Sequence, residues 1–255
     1  MNLRGLGQVK LKELSMNVII TGISKGLGYN TALVLLKGGW TVYGISRNKT
    51  EEIESLFIKY PDNVKWLEYD LEDIENIKSN IFSDWIGFDV PIHALVNNAA
   101  WAYDDIITNI NLGLLEKMYR INVFAPMILT KYAIRQMLLH QIKGSIVHIS
   151  SISVHTGYKG LSMYASTKGA LEAFSKNTAR EWGEREIRSN CIVAGFMETE
   201  MSASLTDYQK NRIYQRTSLK QQVDINSVSE TISFLLSDKS KSITGQNIHV
   251  DNGTI

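Results

Sequence analysis

Asn17-Val18-Ile19-Ile20-Thr21-Gly22-Ile23-Ser24-Lys25-Gly26-Leu27-Gly28 is the stretch that decides the fold. Its first five residues read as a buried strand. A helix is expected over 27–37, stopped by Gly38-Gly39. Between strand and helix, glycines allow a tight turn and close approach of backbone to a pyrophosphate, and the helix start offers free N–H groups and partial positive charge. The candidate phosphate-binding residues are Gly22, Ser24, Lys25, Gly26, Leu27 and Gly28. The spacing is G-x-x-x-G-x-G rather than the commoner G-x-G-x-x-G, and a glycine-rich turn without a ligand is the alternative. The position in the first strand–helix junction favours a nucleotide.

Outward from this stretch, apolar runs alternate with longer amphipathic segments. Further strands are expected at 41–46, 64–69, 92–96, 145–149, 188–193 and 247–250. Helices are expected at 50–58, 73–85, 112–140 (bent near Pro126), 163–183, 199–214 and 227–236. Continuous apolar strands alternating with helices imply a parallel sheet covered on both faces. Right-handed crossovers then make it doubly wound, with ligands at the carboxyl ends of the strands. The second strand ends at Ser46-Arg47, where an acidic residue would bond the 2′-hydroxyl of NAD. Arg47 with Lys25 can instead neutralise a 2′-phosphate, so NADP(H) is the expected cofactor; two solvated surface cations are the alternative.

Composition sets limits. The 255 residues fit one α/β domain, with 44% hydrophobic and 21% charged residues. A formal charge of +1 argues against nucleic acid or an anionic membrane as partner. No apolar run is long enough to span a bilayer. Cys191 is the single cysteine, which excludes an intrachain disulfide, fits a reducing compartment and leads us to expect a cytoplasmic protein. No His/Asp/Glu cluster has metal-ligand spacing, so no metal is expected. Residues 1–15 read as a leader, alternative start or disordered arm, and 16–255 as one domain.

Tyr164 and Lys168 are four residues apart on an expected helix and so share one face. A nearby ammonium favours the phenolate and lowers a phenol pKa that starts near 10. A tyrosine tuned in this way exchanges a proton near neutral pH. Ser151, thirteen residues before Tyr164, can hold a substrate carbonyl within reach of the phenol. Ser150 competes for that role but reads better as a strand-end serine bonding backbone.

The turn at Thr21–Gly28, Asn97-Asn98-Ala99-Ala100, Asn122, Ser151 and Tyr164-x-x-x-Lys168 stand in the order and spacing of the short-chain dehydrogenase/reductase family, which the chain resembles over about 18–253. Within that family it is most similar to 3-oxoacyl-[acyl-carrier-protein] reductases, through 190–201 and 243–253. The resemblance implies a single doubly wound, Rossmann-like α/β domain with a seven-stranded parallel sheet. It implies NADP(H)-dependent reduction of a ketone, best a 3-oxoacyl thioester of fatty acid biosynthesis, free or carrier-protein-bound. By position, Tyr164 is the general acid, Ser151 orients the carbonyl, and Lys168 bonds the nicotinamide ribose and lowers the Tyr164 pKa. Asn122 holds a water in a relay to Lys168. Asp70 and Leu71 lie at the adenine, Asn97 and Ala99 support the cofactor pocket, and Thr199 with the backbone of Met197 binds the carboxamide. A homotetramer through 112–140 and 163–183 is also implied. An acidic carrier protein calls for a basic patch, with Arg185 and Arg188 as candidates.

Two positions depart from the family pattern. Ala100 stands where glycine is frequent, and would be strained at positive φ. Ala194 replaces a proline and loosens entry to the loop over 198–220. Ser153, His155 and Tyr158 are candidate substrate contacts. Trp101 and Tyr103 flank the expected site, His93 and His148 read as core, and Cys191 as inert packing. Two other readings stay open: a reductase or dehydrogenase of a sugar, polyol or secondary-metabolite carbonyl, and a cofactor-binding regulator without turnover.

Overall fold

A computed structural model of the protein describes residues 16–198 and 206–254. β1 (Asn17–Thr21), β2 (Thr41–Ser46), β3 (Val64–Glu68), β4 (Ala94–Asn97), β5 (Ser145–Ser151), β6 (Arg188–Ala194) and β7 (Asn247–Val250) form one seven-stranded sheet. The order is β3-β2-β1-β4-β5-β6-β7, and every pairing is parallel. The direction of winding reverses between β1 and β4, which opens a crevice at the carboxyl edge there.

The strands are apolar throughout because both faces are covered. In β1, Val18 and Ile20 face one core while Ile19 faces the other, as a period of two requires. The first core takes α1 (Gly26–Lys37), α2 (Glu51–Lys59) and α8 (Ile225–Leu236), through Leu35, Ile53 and Ile232 among others. The second takes α4 (Ala125–Leu139) through Leu129, Ala133 and Met137, and a wide, π-type helix, Ile77–Ile86, through Ile77, Ile81 and Phe82. α6 (Ser162–Trp182) packs on β5 and β6. The remaining α-helices among the described residues are the short α3 (Leu112–Tyr119), α5 (Ser153–Thr156) and α7 (Asp207–Tyr214).

Two helices differ from expectation. The helix expected over 73–85 begins at Ile77, because Asp70 and Asp73 accept backbone N–H groups of Glu72 and Asn76 and hold the preceding residues in turns. The long helix over 112–140 divides into α3, a π-type turn at Arg120–Phe124, and α4. Pro126 has no N–H for the carbonyl four residues back, that of Asn122, so the ladder breaks ahead of the proline. The helix expected over 199–214 is observed as α7; residues 199–205 lie outside the described residues, as do 1–15.

Candidate active site

The glycine turn is locked from three sides. Gly22 and Gly26 have φ of +73° and +56°, where other residues are strained. Gly22 N–H donates to Ile45 O of β2 at 2.7 Å, and Thr50 Oγ1 donates to Ser24 O at 2.8 Å. From the loop after β4, the N–H groups of Asn98 and Ala99 each donate to Thr21 Oγ1 at 3.0 Å. The Asn98 carboxamide donates to Thr21 O at 2.9 Å and Gly22 O at 3.3 Å. A Cβ on Gly28 would lie 2.0 Å from Gly22 O, so only glycine lets α1 approach the turn. α1 has neither a side-chain cap nor an acidic residue in its first turn. α2, α3, α7 and α8 are capped by Thr50, Asn111, Thr206 and Asp224, whereas α4, α5 and α6 share with α1 the lack of a side-chain cap. Uncapped N–H groups with the helix dipole behind them suit a phosphate, so these residues fit a dinucleotide. Sequence reading did not assign the bracing by Thr21 and Asn98; the Asn97-Asn98 pair after β4 was its only signal.

Beside the ends of β2 and β3, Arg47, Asn48, Glu68, Tyr69, Asp70, Asp73 and Asn80 line an open cavity of about 650 Å³. Arg47 is exposed there and makes no hydrogen bond or ion pair among the described residues. Asp70 lines the same cavity, while Leu71 is buried behind it. Ser46 serves a local role: its hydroxyl donates to Asn48 O at 3.0 Å and accepts from the Trp66 indole at 2.8 Å. It shapes the end of β2 and has no free donor for a ligand.

The candidate reacting groups lie at the carboxyl edge of β5 and on α6. Ser151 ends β5, and its Oγ accepts the Ser153 N–H at 3.2 Å, which leaves its O–H free to donate elsewhere. Lys168 is buried, and its Nζ donates to Ile149 O at 2.8 Å and lies 5.7 Å from the Tyr164 ring centroid. Burial depresses the Lys168 ammonium to about 8. The expected lowering of the Tyr164 pKa by Lys168 is not found. Burial, and next the carboxylate of Asp104, hold the phenol above its ordinary range. Asn122 sits in the π-type turn and is fully buried. Its carboxamide donates to Trp101 O and accepts from Trp101 N–H, both at 2.8 Å, and donates to Thr167 Oγ1 at 3.1 Å. The side chain therefore clamps the loop after β4. Asn97 is buried against Thr130 and His148, at 3.3 and 3.1 Å, below the cofactor crevice. Ala99 is half-buried beside the glycine turn.

Around this centre, Ser153 is buried with no hydrogen-bond partner for its hydroxyl among the described residues, and Tyr158 is half-buried. His155 directs Nε2 at Glu172, 3.1 Å away. The Asp105 N–H donates to Gly160 O at 3.0 Å and joins the loop after β4 to the loop before α6. Met197 packs on the first core; Thr199 lies outside the described residues. Three expectations are corrected. Ser150 donates to the Glu172 carboxylate, not to backbone, because the α6 carboxylate reaches the strand end. Ala100 has no positive φ, so its methyl adds no backbone strain. Arg185 and Arg188 flank the amino end of β6, opposite the site, and Arg188 binds the carbonyls of Leu235, Ser237 and Ile243, so they form no basic patch at the pocket.

A glycine turn on an uncapped helix, with serine, tyrosine and lysine along the same sheet edge, defines an NAD(P)-dependent oxidoreductase. The family model described as enoyl-(acyl carrier protein) reductase matches residues 22–254, and the chain belongs to the short-chain dehydrogenase/reductase family. It is 29% identical to the 3-oxoacyl-[acyl-carrier-protein] reductase FabG of Staphylococcus aureus (strain N315), over 94% of this chain and 98% of that protein. It is 32% identical to D-erythrulose reductase of Gallus gallus, over 92% and 94%. The solved structure "ElxO with NADP Bound" superposes with a TM-score of 0.86 at 28% identity, covering 94% of this chain and 99% of the other.

Proposed function

We propose that the protein reduces a ketone to a secondary alcohol with NADPH, Tyr164 giving the proton. Two observations support this reading: a phenol on α6 held above its ordinary range, and a Ser151 hydroxyl at the end of β5 whose donor is free. A nicotinamide cofactor, when bound, supplies the hydride. The substrate oxygen gains negative charge as the carbonyl is reduced, and donors from Ser151 and Tyr164 stabilise it there. A phenol held above its ordinary range is protonated at neutral pH but is a weaker acid than a free tyrosine, so this reading requires its pKa to fall when the cofactor and substrate bind. Lys168 donates one proton to Ile149 O and keeps two donors for a ribose hydroxyl and for water on the Asn122 carbonyl. Arg47, exposed just after β2 and without an ion-pair partner among the described residues, supports preference for a 2′-phosphate. Thr199 and the backbone of Met197 take the carboxamide in this reading.

The substrate class proposed first is a 3-oxoacyl thioester, free or carrier-protein-bound, on the likeness to FabG. A hydroxylated ketone of the sugar or polyol kind is the second reading. It is favoured by the unpartnered Ser153 hydroxyl and by the Asp104 carboxylate acting on Tyr164, and by the likeness to D-erythrulose reductase. We place the enzyme in the cytoplasm as a homotetramer; the exposed Leu112, Leu114 and Phe124 support burial of the α3–α4 face. NADPH consumption with an acetoacetyl thioester and with erythrulose decides between the substrates. Turnover of the thioester supports the first reading and of erythrulose alone the second. Binding of NADPH with turnover of no ketone refutes the enzyme reading and favours a regulator.

A further inference from the structure

Glu172 lies on α6 one turn beyond Lys168, as Lys168 lies one turn beyond Tyr164, so the three share a face. It is only 8% exposed, and no lysine or arginine among the described residues pairs with it. Its carboxylate instead gathers three partners from three elements. Ser150 Oγ of β5 donates to Oε1, His155 Nε2 of α5 stands 3.1 Å away, and Asn247 Nδ2 of β7 donates to Oε2 at 2.7 Å. The Lys168 Nζ meets Ile149 O, the neighbour of Ser150, at 2.8 Å. Two adjacent residues of β5 are therefore fastened to two residues one turn apart on α6. The next residue of β5 is Ser151.

We infer that Glu172 is a positioning residue: it fixes the register of α6 against the end of β5, and thereby the place of Ser151 relative to Tyr164. An apolar side chain would fill the same volume, but packing alone tolerates sliding. Directed bonds to a buried carboxylate do not, because each broken bond strands a donor in low dielectric. The His155 and Asn247 arms hold α5 and β7 to the same point. The inference rests on the proposed reaction, in which Ser151 and Tyr164 share one substrate oxygen. Such pairs must be held to about 0.5 Å, and a misplacement of about 1 Å costs on the order of a hundredfold.

The test uses Glu172→Gln, which keeps volume but offers one acceptor oxygen in place of two, and Ser150→Ala, which cuts only the β5 arm. Both are assayed for NADPH affinity, melting temperature, kcat and the isotope effect with 4-deuterated NADPH, and both are crystallised beside the parent. Expected are NADPH Kd within about threefold of the parent, kcat lowered about tenfold in Glu172→Gln, and a larger isotope effect. The Ser151 Oγ to Tyr164 Oη separation should change by about 0.5 Å, with Ser150→Ala shifting the same way by less. An unchanged separation in both variants overturns the inference, as does a loss of kcat matched by equal loss of NADPH affinity and melting temperature. If the parent reduces no ketone the proposed function fails, and the separation alone then decides the role of Glu172. If Glu172→Gln does not fold, Ser150→Ala decides it.

Discussion

Gly28→Ala tests the cofactor turn with a single methyl. Gly28 lies in the first turn of α1 at an ordinary helical φ, so alanine needs no unusual backbone there. In an unobstructed helix this change stabilises by about 1 kcal/mol. Here the new Cβ would stand 2.0 Å from Gly22 O and 2.6 Å from Asn98 Nδ2. Opening the first contact from 2.0 Å to the 3.4 Å of ordinary contact moves the turn by about 1.4 Å. Gly22 is held by Ile45 O and by Asn98, so the shift loosens the joint between β1, β2 and β4. Overpacking of this kind costs about 1–3 kcal/mol, and at about 2–4 °C per kcal/mol the melting temperature should fall by roughly 2–12 °C. Each charge-assisted bond lost from the helix start to a phosphate removes about 1.5–3 kcal/mol, or roughly ten- to a hundredfold in NADPH Kd. Scanning calorimetry and fluorescence titration of NADPH read both quantities. An unchanged or higher melting temperature, with NADPH Kd within about threefold of the parent, would refute the steric argument.

Two further outcomes follow from the site. Arg47→Gln should weaken NADPH binding by about ten- to a hundredfold and leave NADH binding within about threefold, measured by paired titrations. An equal effect on both cofactors removes Arg47 from 2′-phosphate recognition. Burial lowers the folded-state pKa of Lys168 from 10.5 to about 8, so the unfolded chain binds more protons between those values. Parent stability should therefore rise relative to Lys168→Met as pH increases from about 8 toward 10.5, and stay level with it in pH dependence below about 8. Urea melts of both proteins across that range measure the difference; a flat difference contradicts a desolvated ammonium.

The parallel sheet was legible because its strands are buried on both faces and so read as unbroken apolar runs. β1, β2 and β7 have the bounds their patterns imply. The long helix was harder. Proline announced a bend at Pro126, but the π-type turn lies ahead of it, where the missing N–H leaves Asn122 without its helical donor. Asp70 and Asp73 drew residues out of the following helix through side-chain bonds that compete with the helical ladder. The placement of Tyr164 and Lys168 on one helix and of Ser151 at one strand end was legible, because it is local geometry. The height of the phenol pKa was not, because it depends on burial and on Asp104, sixty residues earlier in the chain. The Glu172 node was equally hidden: Asn247 is 75 residues away, and only the sheet order brings β7 beside that helix.

Tyr164 as the proton donor is tested most directly by NADPH consumption with an accepted ketone, compared between the parent and Tyr164→Phe, each with its NADPH Kd. General acid catalysis contributes about 10²–10⁴-fold, so kcat should fall by that factor in the variant while NADPH Kd stays within about threefold. A variant that keeps more than about a tenth of parental kcat, with the cofactor bound, would contradict the assignment.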